Sequence, residues 1–172
     1  MPEPSLRSVS RRRLLLAAAG LTLAGCGFRP RGMAGLGAPT VQINNVPRTS
    51  PLGRAIARRL AGSETRWVEP PEAAELRLDI LSYREERDIL SLTPDGKVRE
   101  YLIRASLRFR VLDKEGQELL PATELSAERD YSYDDNLITA REKEEMLLYD
   151  DMRQQLVDQM FLMIGRTIAS RK

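Results

Sequence analysis

Residues 101–111 alternate. Tyr101, Ile103, Ala105, Leu107, Phe109 and Val111 take one set of positions, and Arg104, Ser106, Arg108 and Arg110 fall between the later ones. A period of two sends successive side chains to opposite faces of a strand. One face of this segment is therefore buried and the other is basic and wet, the pattern of a sheet covered on one side only. A chain that holds such a strand must supply neighbouring strands and a second layer for the apolar face.

The neighbours are legible on both sides. Upstream, Leu76, Leu78 and Ile80 alternate with Arg77 and Asp79, and the strand is expected to run through Tyr83 toward Arg87. Thr93-Pro94-Asp95-Gly96 is a turn, because proline presets the first central angle and glycine accepts positive φ. Downstream, Leu125, Ala127, Tyr131 and Tyr133 share one face and Glu124, Ser126, Glu128 and Asp130 the other. If these strands form a hairpin across Asp113-Lys114-Glu115-Gly116, odd positions must pair with odd ones. A four-residue loop has the wrong parity, which predicts a longer loop or a bulge near Leu119-Leu120-Pro121. The outer face then carries arginines beside carboxylates, each pair worth ~0.2–1 kcal/mol.

Val41, Ile43 and Val46 mark a short first strand. Ser50-Pro51 starts a helix with a cap and a proline at the first helical position. Leu52, Ile56 and Leu60 form its apolar face, Arg54, Arg58 and Arg59 a solvated one, and Gly62 is expected to end it in a left-handed conformation. The last element is a helix of about thirty residues, ~45 Å long. Thr139-Ala140-Arg141-Glu142 fits a capping box, and Leu148, Met152, Leu156, Met160 and Ile164 recur every four residues. Its first half is charged and its second half broadly apolar, so part of it is expected to project beyond the sheet.

The amino-terminal region is of another kind. Arg11–Arg13 precede an apolar run, Leu14–Leu23, and small residues then lead to Cys26. Basic, apolar and small-residue regions in this order make a secretory signal peptide, and about ten apolar residues are too few to span a bilayer. Leu23-Ala24-Gly25-Cys26 resembles the lipobox of bacterial lipoproteins, in which the cysteine is acylated and the leader removed before it. By that resemblance residues 1–25 are the signal peptide, and Cys26 holds the chain to a membrane by covalent lipid. Gly27, rather than aspartate, resembles lipoproteins forwarded to the outer membrane. Ser10-Arg11-Arg12-Arg13 also resembles a twin-arginine signal, although three arginines serve the general export route equally. Residues 26–39, rich in Gly and Pro, read as a lipidated flexible tether, and 40–172 as one α+β domain.

Without the leader the net charge of +2 becomes −1, so no basic bias points to nucleic acid. The chain has no histidine, and its one cysteine is the lipidation candidate. The commonest general base, the commonest metal ligand and any disulfide framework are thereby removed. Neither a phosphate loop nor a nucleophile elbow is found. The adjacent acids Asp134-Asp135 and Asp150-Asp151 point to different faces. The expectation is a non-enzymatic protein with no cofactor and no metal.

Several segments in order resemble the LPS-assembly lipoproteins of the LptE family. They are Cys26-Gly27-Phe28-Arg29-Pro30-Arg31-Gly32, then Asp95-Gly96-Lys97-Val98-Arg99-Glu100-Tyr101, then Asp130-Tyr131-Ser132-Tyr133-Asp134-Asp135-Asn136, and finally Glu144-Glu145-Met146-Leu147-Leu148. The resemblance implies a four-stranded, mostly antiparallel sheet with two helices packed on one face. It implies a plug in the lumen of the outer-membrane β-barrel LptD, facing the periplasm, that helps the barrel assemble and takes part in placing lipopolysaccharide in the outer leaflet. Pro94 stands where a basic residue would suit an anion-binding tip. Lys97 and Arg99 can take that part, as can Arg141 and Lys143, which makes these four the candidate lipopolysaccharide contacts. A stand-alone, lipid-anchored ligand-binding or chaperone module is the alternative, and for ligand binding it predicts a closed apolar pocket. A lipid-anchored hydrolase would need converging carboxylates with raised pKa values.

Overall fold

The computed structural model describes residues 35–133 and 138–171, with the backbone alone for 138–140. Strand β1 is Thr40–Asn44, helix α1 Pro51–Ala61, β2 Arg66–Trp67, β3 Leu76–Leu92, β4 Val98–Asp113 and β5 Glu118–Ser132, and helix α2 is Ile138–Ala169. The sheet runs β2-β1-β3-β4-β5. β1 is parallel to both of its neighbours, and β3, β4 and β5 are antiparallel. The architecture is α+β, as expected, but with five strands rather than four. The extra strand has two residues, too short to show a period, and is made by tertiary contact: Arg66 donates its N–H to Pro39 O and Val68 to Val41 O, each at 2.9 Å.

Both helices cover one face of the sheet. Val41, Ile43, Leu76, Leu78, Ile80, Ile103, Ala105, Leu107, Phe109, Val111, Ala127 and Tyr131 point inward to meet Leu52, Ile56 and Leu60 of α1 and Met152, Leu156, Met160, Phe161 and Ile164 of α2. Residues 35–39, assigned from composition to the tether, are packed. Leu36 is fully buried, and Gly35 O lies 3.1 Å from the place a Cβ would take on Gly165. That close approach gives the α2 glycine a reason beyond its helix propensity. Cys26 and the leader lie outside the described residues.

The turns behave as their chemistry requires. Gly96 has φ +83°, Gly96 N–H bonds Thr93 O at 2.9 Å, and Thr93 N–H bonds Lys97 O at 2.8 Å. The β4–β5 connection is tighter than expected, with Asp113 N–H on Gln117 O at 2.9 Å and Gly116 at φ +84°. Parity is restored by the expected irregularity instead. Register shifts between Phe109↔Thr123, Val111↔Leu120 and Leu112↔Glu118 place extra β5 residues around Leu119 and Pro121-Ala122.

Ser50 caps α1, accepting the Gly53 N–H at 3.0 Å while its hydroxyl donates to Pro47 O at 2.7 Å. Gly62 does not close α1 in the left-handed region. Its φ is −89°, and Ser63 serves the Leu60 carbonyl with both its N–H and its hydroxyl, so no chain reversal is needed there. Arg58 and Arg59 are not simply solvated. They bridge to Asp150 at 3.4 Å and Asp158 at 2.7 Å on α2, and Arg59 also lies over the Phe161 ring. α2 begins at Ile138, so Thr139 falls inside the helix rather than at its cap. The box's Thr139 and Ala140 side chains lie outside the described residues.

The turn before α1 is packed against the helix. A Cβ on Gly53 would stand 2.1 Å from Pro47 O. Gly53→Ala is expected to cost about 1–3 kcal/mol in urea unfolding, because backbone must move. Ser50→Ala should cost ~1 kcal/mol through the lost cap, and Phe161→Ala about 3–5 kcal/mol through the cavity it leaves.

Candidate functional site

β3 changes character half-way along. Ile80 pairs with Phe109 but Ser82 pairs with Arg108, so Leu81 is an extra residue against β4. A one-residue bulge exchanges the faces beyond it. Before it, Leu76, Leu78 and Ile80 point to the helices. After it, Tyr83, Glu85, Arg87 and Ile89 do, opposite Leu107, Ala105, Ile103 and Tyr101. Leu81 itself is left 41 % exposed, so the extra residue puts an apolar side chain in solvent. Asn45, with φ 65°, ends β1 beside this point and donates its side-chain amide to Ile80 O at 3.2 Å.

The polar side chains brought inward meet the charged half of α2. Arg153, buried, donates to Glu85 at 2.7 Å, to Asp150 at 2.9 Å and to the Tyr83 hydroxyl at 3.2 Å. Tyr83 in turn donates to Glu85. About two turns nearer the helix start, Glu145 accepts from Arg87 at 2.9 Å and from the Tyr131 hydroxyl. Tyr149 donates to Glu86 O at 2.9 Å. Arg87 lies over the Tyr101 ring at 4.8 Å, and Tyr101 stacks on Tyr131 and meets Tyr133 edge-on. Burial raises the Tyr83 and Tyr131 pKa values above their ordinary 10.0, and the adjoining carboxylates of Glu85 and Glu145 raise them further. Burial works against the charge of Arg153, but Glu85 and the Tyr83 hydroxyl together outweigh it and hold the guanidinium pKa up.

The four candidate cations lie toward this end of the sheet. Lys97 is exposed in the β3–β4 turn, and Arg99 is an exposed extra residue on β4, between the pairs Ser91↔Glu100 and Leu92↔Val98. Tyr133 donates its N–H to Arg99 O at 2.8 Å, five residues before α2 starts. Arg141 and Lys143 sit in the first turns of α2. Arg141 is engaged by Glu144 at 2.6 Å, whereas Lys97, Arg99 and Lys143 carry no ion pair among the described residues. Among the described residues no hydrogen bond or ion pair joins Lys97 or Arg99 to Arg141 or Lys143.

The sheet face away from the helices is charged and internally paired. Arg110 holds Asp79 at 2.9 Å while the Asn44 amide donates to the same carboxylate at 2.8 Å. Arg104 holds Glu128 at 2.6 Å. Burial tends to raise the Asp79 pKa, but Asn44 and Arg110 overcome it and keep the carboxyl below its ordinary 3.8. At the opposite end from the β3–β4 turn, a cleft of about 510 Å³ opens between Leu76, Leu119 and Ile168, rimmed by Glu75, Asp113 and Arg171. It is open and charged at the rim, unlike a closed apolar pocket. Among the described residues no cluster of three acids is placed to hold a metal ion, and no helix is long and apolar enough to cross a membrane.

Residues 38–164 match the family model described as LptE, lipopolysaccharide-assembly. The chain belongs to the LptE family. It is 31 % identical over 152 residues to the LPS-assembly lipoprotein LptE of Pectobacterium atrosepticum, covering 86 % of this chain and 80 % of that one. The LPS-assembly lipoprotein LptE of Yersinia enterocolitica is also 31 % identical, over 86 % of this chain and 72 % of its own. The fold is similar to that of lipoprotein B from Nitrosomonas europaea, with a TM-score of 0.66 and 29 % identity over 78 % of this chain and 88 % of that one. It is similar also to the rare lipoprotein B of Shewanella oneidensis, at 0.62 and 26 % over 77 % and 95 %. Membership of the family supports a role in lipopolysaccharide assembly.

The inward cluster of Glu85, Arg87, Tyr131, Glu145 and Arg153 escapes a reading of the sequence alone. A signal was present: Ile80-Leu81 and Ile89-Leu90 are adjacent apolar pairs, and two neighbours cannot share one face of an unbroken strand.

The pKa shifts fix a pH profile. Raised tyrosine pKa values mean that the folded state keeps protons which the unfolded state releases above about pH 10, so stability is full below that value and falls above it. The double variant Tyr83→Phe/Tyr131→Phe should flatten this alkaline limb in urea titrations from pH 8 to 11. Asp79 acts with the opposite sign: its contribution is present above about pH 4 and lost as pH falls through its lowered value. Asp79→Asn should flatten the acid limb.

Proposed function

We propose that this protein is an outer-membrane lipoprotein, anchored on the periplasmic side through lipid on Cys26, that plugs and helps assemble the LptD β-barrel and takes part in inserting lipopolysaccharide into the outer leaflet. The observation that carries this reading is the open sheet face. It is a whole side of the domain left uncovered, bearing Arg104–Glu128 and the Asn44–Asp79–Arg110 group in place of apolar residues. Barrel lumens are polar, so a plug needs a surface that hydrogen-bonds rather than a greasy one. The uncovered face and the charged first half of α2 meet that requirement. The family match supports the same reading.

Lys97, Arg99 and Lys143 are the cations with charge to spare for lipopolysaccharide phosphates, and arginine suits phosphate by its bidentate geometry. Arg141 is the weaker candidate of the four because Glu144 already holds it. A bound phosphate would have to compete with that carboxylate.

Mild-detergent recovery of the tagged chain from its own outer membrane tests the proposal. One large β-barrel at near one-to-one ratio, surviving high salt, is the expected result. A lone monomer would sink the plug reading and bring forward the stand-alone ligand-binding or chaperone module. Cys26→Ser should move the chain from the membrane to the soluble envelope fraction. Retention of that variant in the membrane without the barrel would contradict the lipid anchor.

A further inference from the structure

β1 pairs with β3 only as far as Asn44↔Asp79, and Asn45, with φ 65°, ends it there while its amide holds Ile80 O. From Leu81 onward β3 is an edge strand, paired with β4 alone. Opposite it on β4, Ile103, Ala105 and Leu107 are fully buried, whereas every residue of β3 from Arg84 to Leu90 is exposed. α2 lies over β4 and β5 and reaches this stretch through the side chains of Glu145, Tyr149 and Arg153. Ser82 to Leu90 spans about 30 Å at ~3.3 Å per residue, with no strand beside its outer edge among the described residues. A long open edge of this kind is a template for another strand. Its charges say which strand fits. On the open face Arg84, Glu86 and Asp88 follow one another along the edge, all exposed and without an ion pair among the described residues. On the helix side Glu85 and Arg87 are already held by Arg153 and Glu145. The unspent charge of the edge is therefore net negative.

A second copy of this chain does not fit the edge. Two copies of β3 would pair antiparallel about a twofold axis. With the axis at Glu86, Arg84 would meet the partner's Asp88, but the partner's β3–β4 turn would run into Asn44, which already stands beside Asp79. Moving the axis to Asp88 clears β1 and sets carboxylate against carboxylate. We propose that the free edge of β3 between Ser82 and Leu90 accepts, by strand addition, an extended segment of a different protein with lysine or arginine at the alternate positions opposite Glu86 and Asp88. Main-chain bonds along the edge give such a contact its affinity, and the alternate side chains give it selectivity. Opposite charges directly across a strand pair stabilise it and like charges destabilise it. Asn44 and Asn45 close one end of the lane, so the guest strand lies between them and the β3–β4 turn. The inference goes beyond the lipopolysaccharide reading and does not depend on it.

The test uses the full chain in non-ionic detergent and two end-blocked peptides of about ten residues, one alternating lysine with valine and one alternating glutamate with valine. The lysine peptide should bind at least about tenfold more tightly than the glutamate peptide. It should also slow amide hydrogen exchange within residues 82–90. Glu86→Lys/Asp88→Lys should reverse the preference, and thermal melting should show that variant folded, since both side chains are exposed. N-methylating the lysine peptide at all its lysines blocks one of its edges, and at all its valines the other. One of these two forms should lose binding and the other keep it. Retention by both would exclude main-chain pairing and overturn the proposal. Equal affinity of the wild type for the two peptides, binding of neither, or protection gained only outside residues 82–90 would overturn it as well. A variant that still prefers the lysine peptide would remove Glu86 and Asp88 from the contact, with the same consequence. Recovery of the barrel, which tests the functional reading, is untouched by any of these results.

Discussion

One extra residue, Leu81, governs how this domain is divided. Up to Ile80 the third strand presents an apolar face to the helices, and the core forms there in the ordinary way. Past Leu81 the same strand presents Tyr83, Glu85 and Arg87 to the same side. Without the bulge those side chains would lie on the open face, and Ser82, Arg84 and Glu86 would meet α2. The partners on α2 are matched to the observed register: Arg153 reaches Glu85 and Glu145 reaches Arg87. A slip of one residue would break both pairs.

α2 is consequently held in two different ways. From Met152 onward it is fixed by close packing of Leu156, Met160, Phe161 and Ile164, which is non-directional and tolerates small shifts. Its first half is fixed by directional bonds from Glu145, Tyr149 and Arg153, which do not. A buried charge such as Arg153 is costly to leave half-paired, so its contacts specify position more than they add stability. Where the sequence suggested that part of α2 would project past the sheet, β3 flanks it from Glu145 to Arg153. β3 and β4 accompany the helix there, and β5 stays paired with β4 as far as Glu100.

The functional picture follows from that division. One sheet face is covered by helices and the other is charged, so the domain can lie against a polar wall without losing its core. One end holds the open cleft and the packed segment around Leu36. The other end holds the β3–β4 turn with Lys97 and Arg99, both exposed and without an ion pair among the described residues. The paired, charged face spans the distance between these two ends.

Sequence alone determined the alternating strands, the two helical faces, the Ser50 cap, the Thr93–Gly96 turn and the need for an irregularity near Leu119-Leu120-Pro121. Each depends on residues close together in the chain, where period, capping and turn chemistry act directly. The segments that resemble the LptE family were legible for the same reason, since each is short and contiguous. Tertiary structure alone decided the two-residue strand at Arg66–Trp67, the packing of Leu36, and the bridging of Arg58 and Arg59 to α2. It also decided the fate of Gly62, whose left-handed turn is unnecessary because Ser63 serves the same carbonyl. Among the candidate site residues, sequence supplied the cations but not which of them would be spent internally. Arg141 is held by Glu144, and Arg87, not singled out at all, is held by Glu145. The physical reason is common to these cases. A side chain's partner is set by register and by the distance between elements, and in β3 both turn on a single inserted residue that leaves only a pair of adjacent apolar letters as its trace.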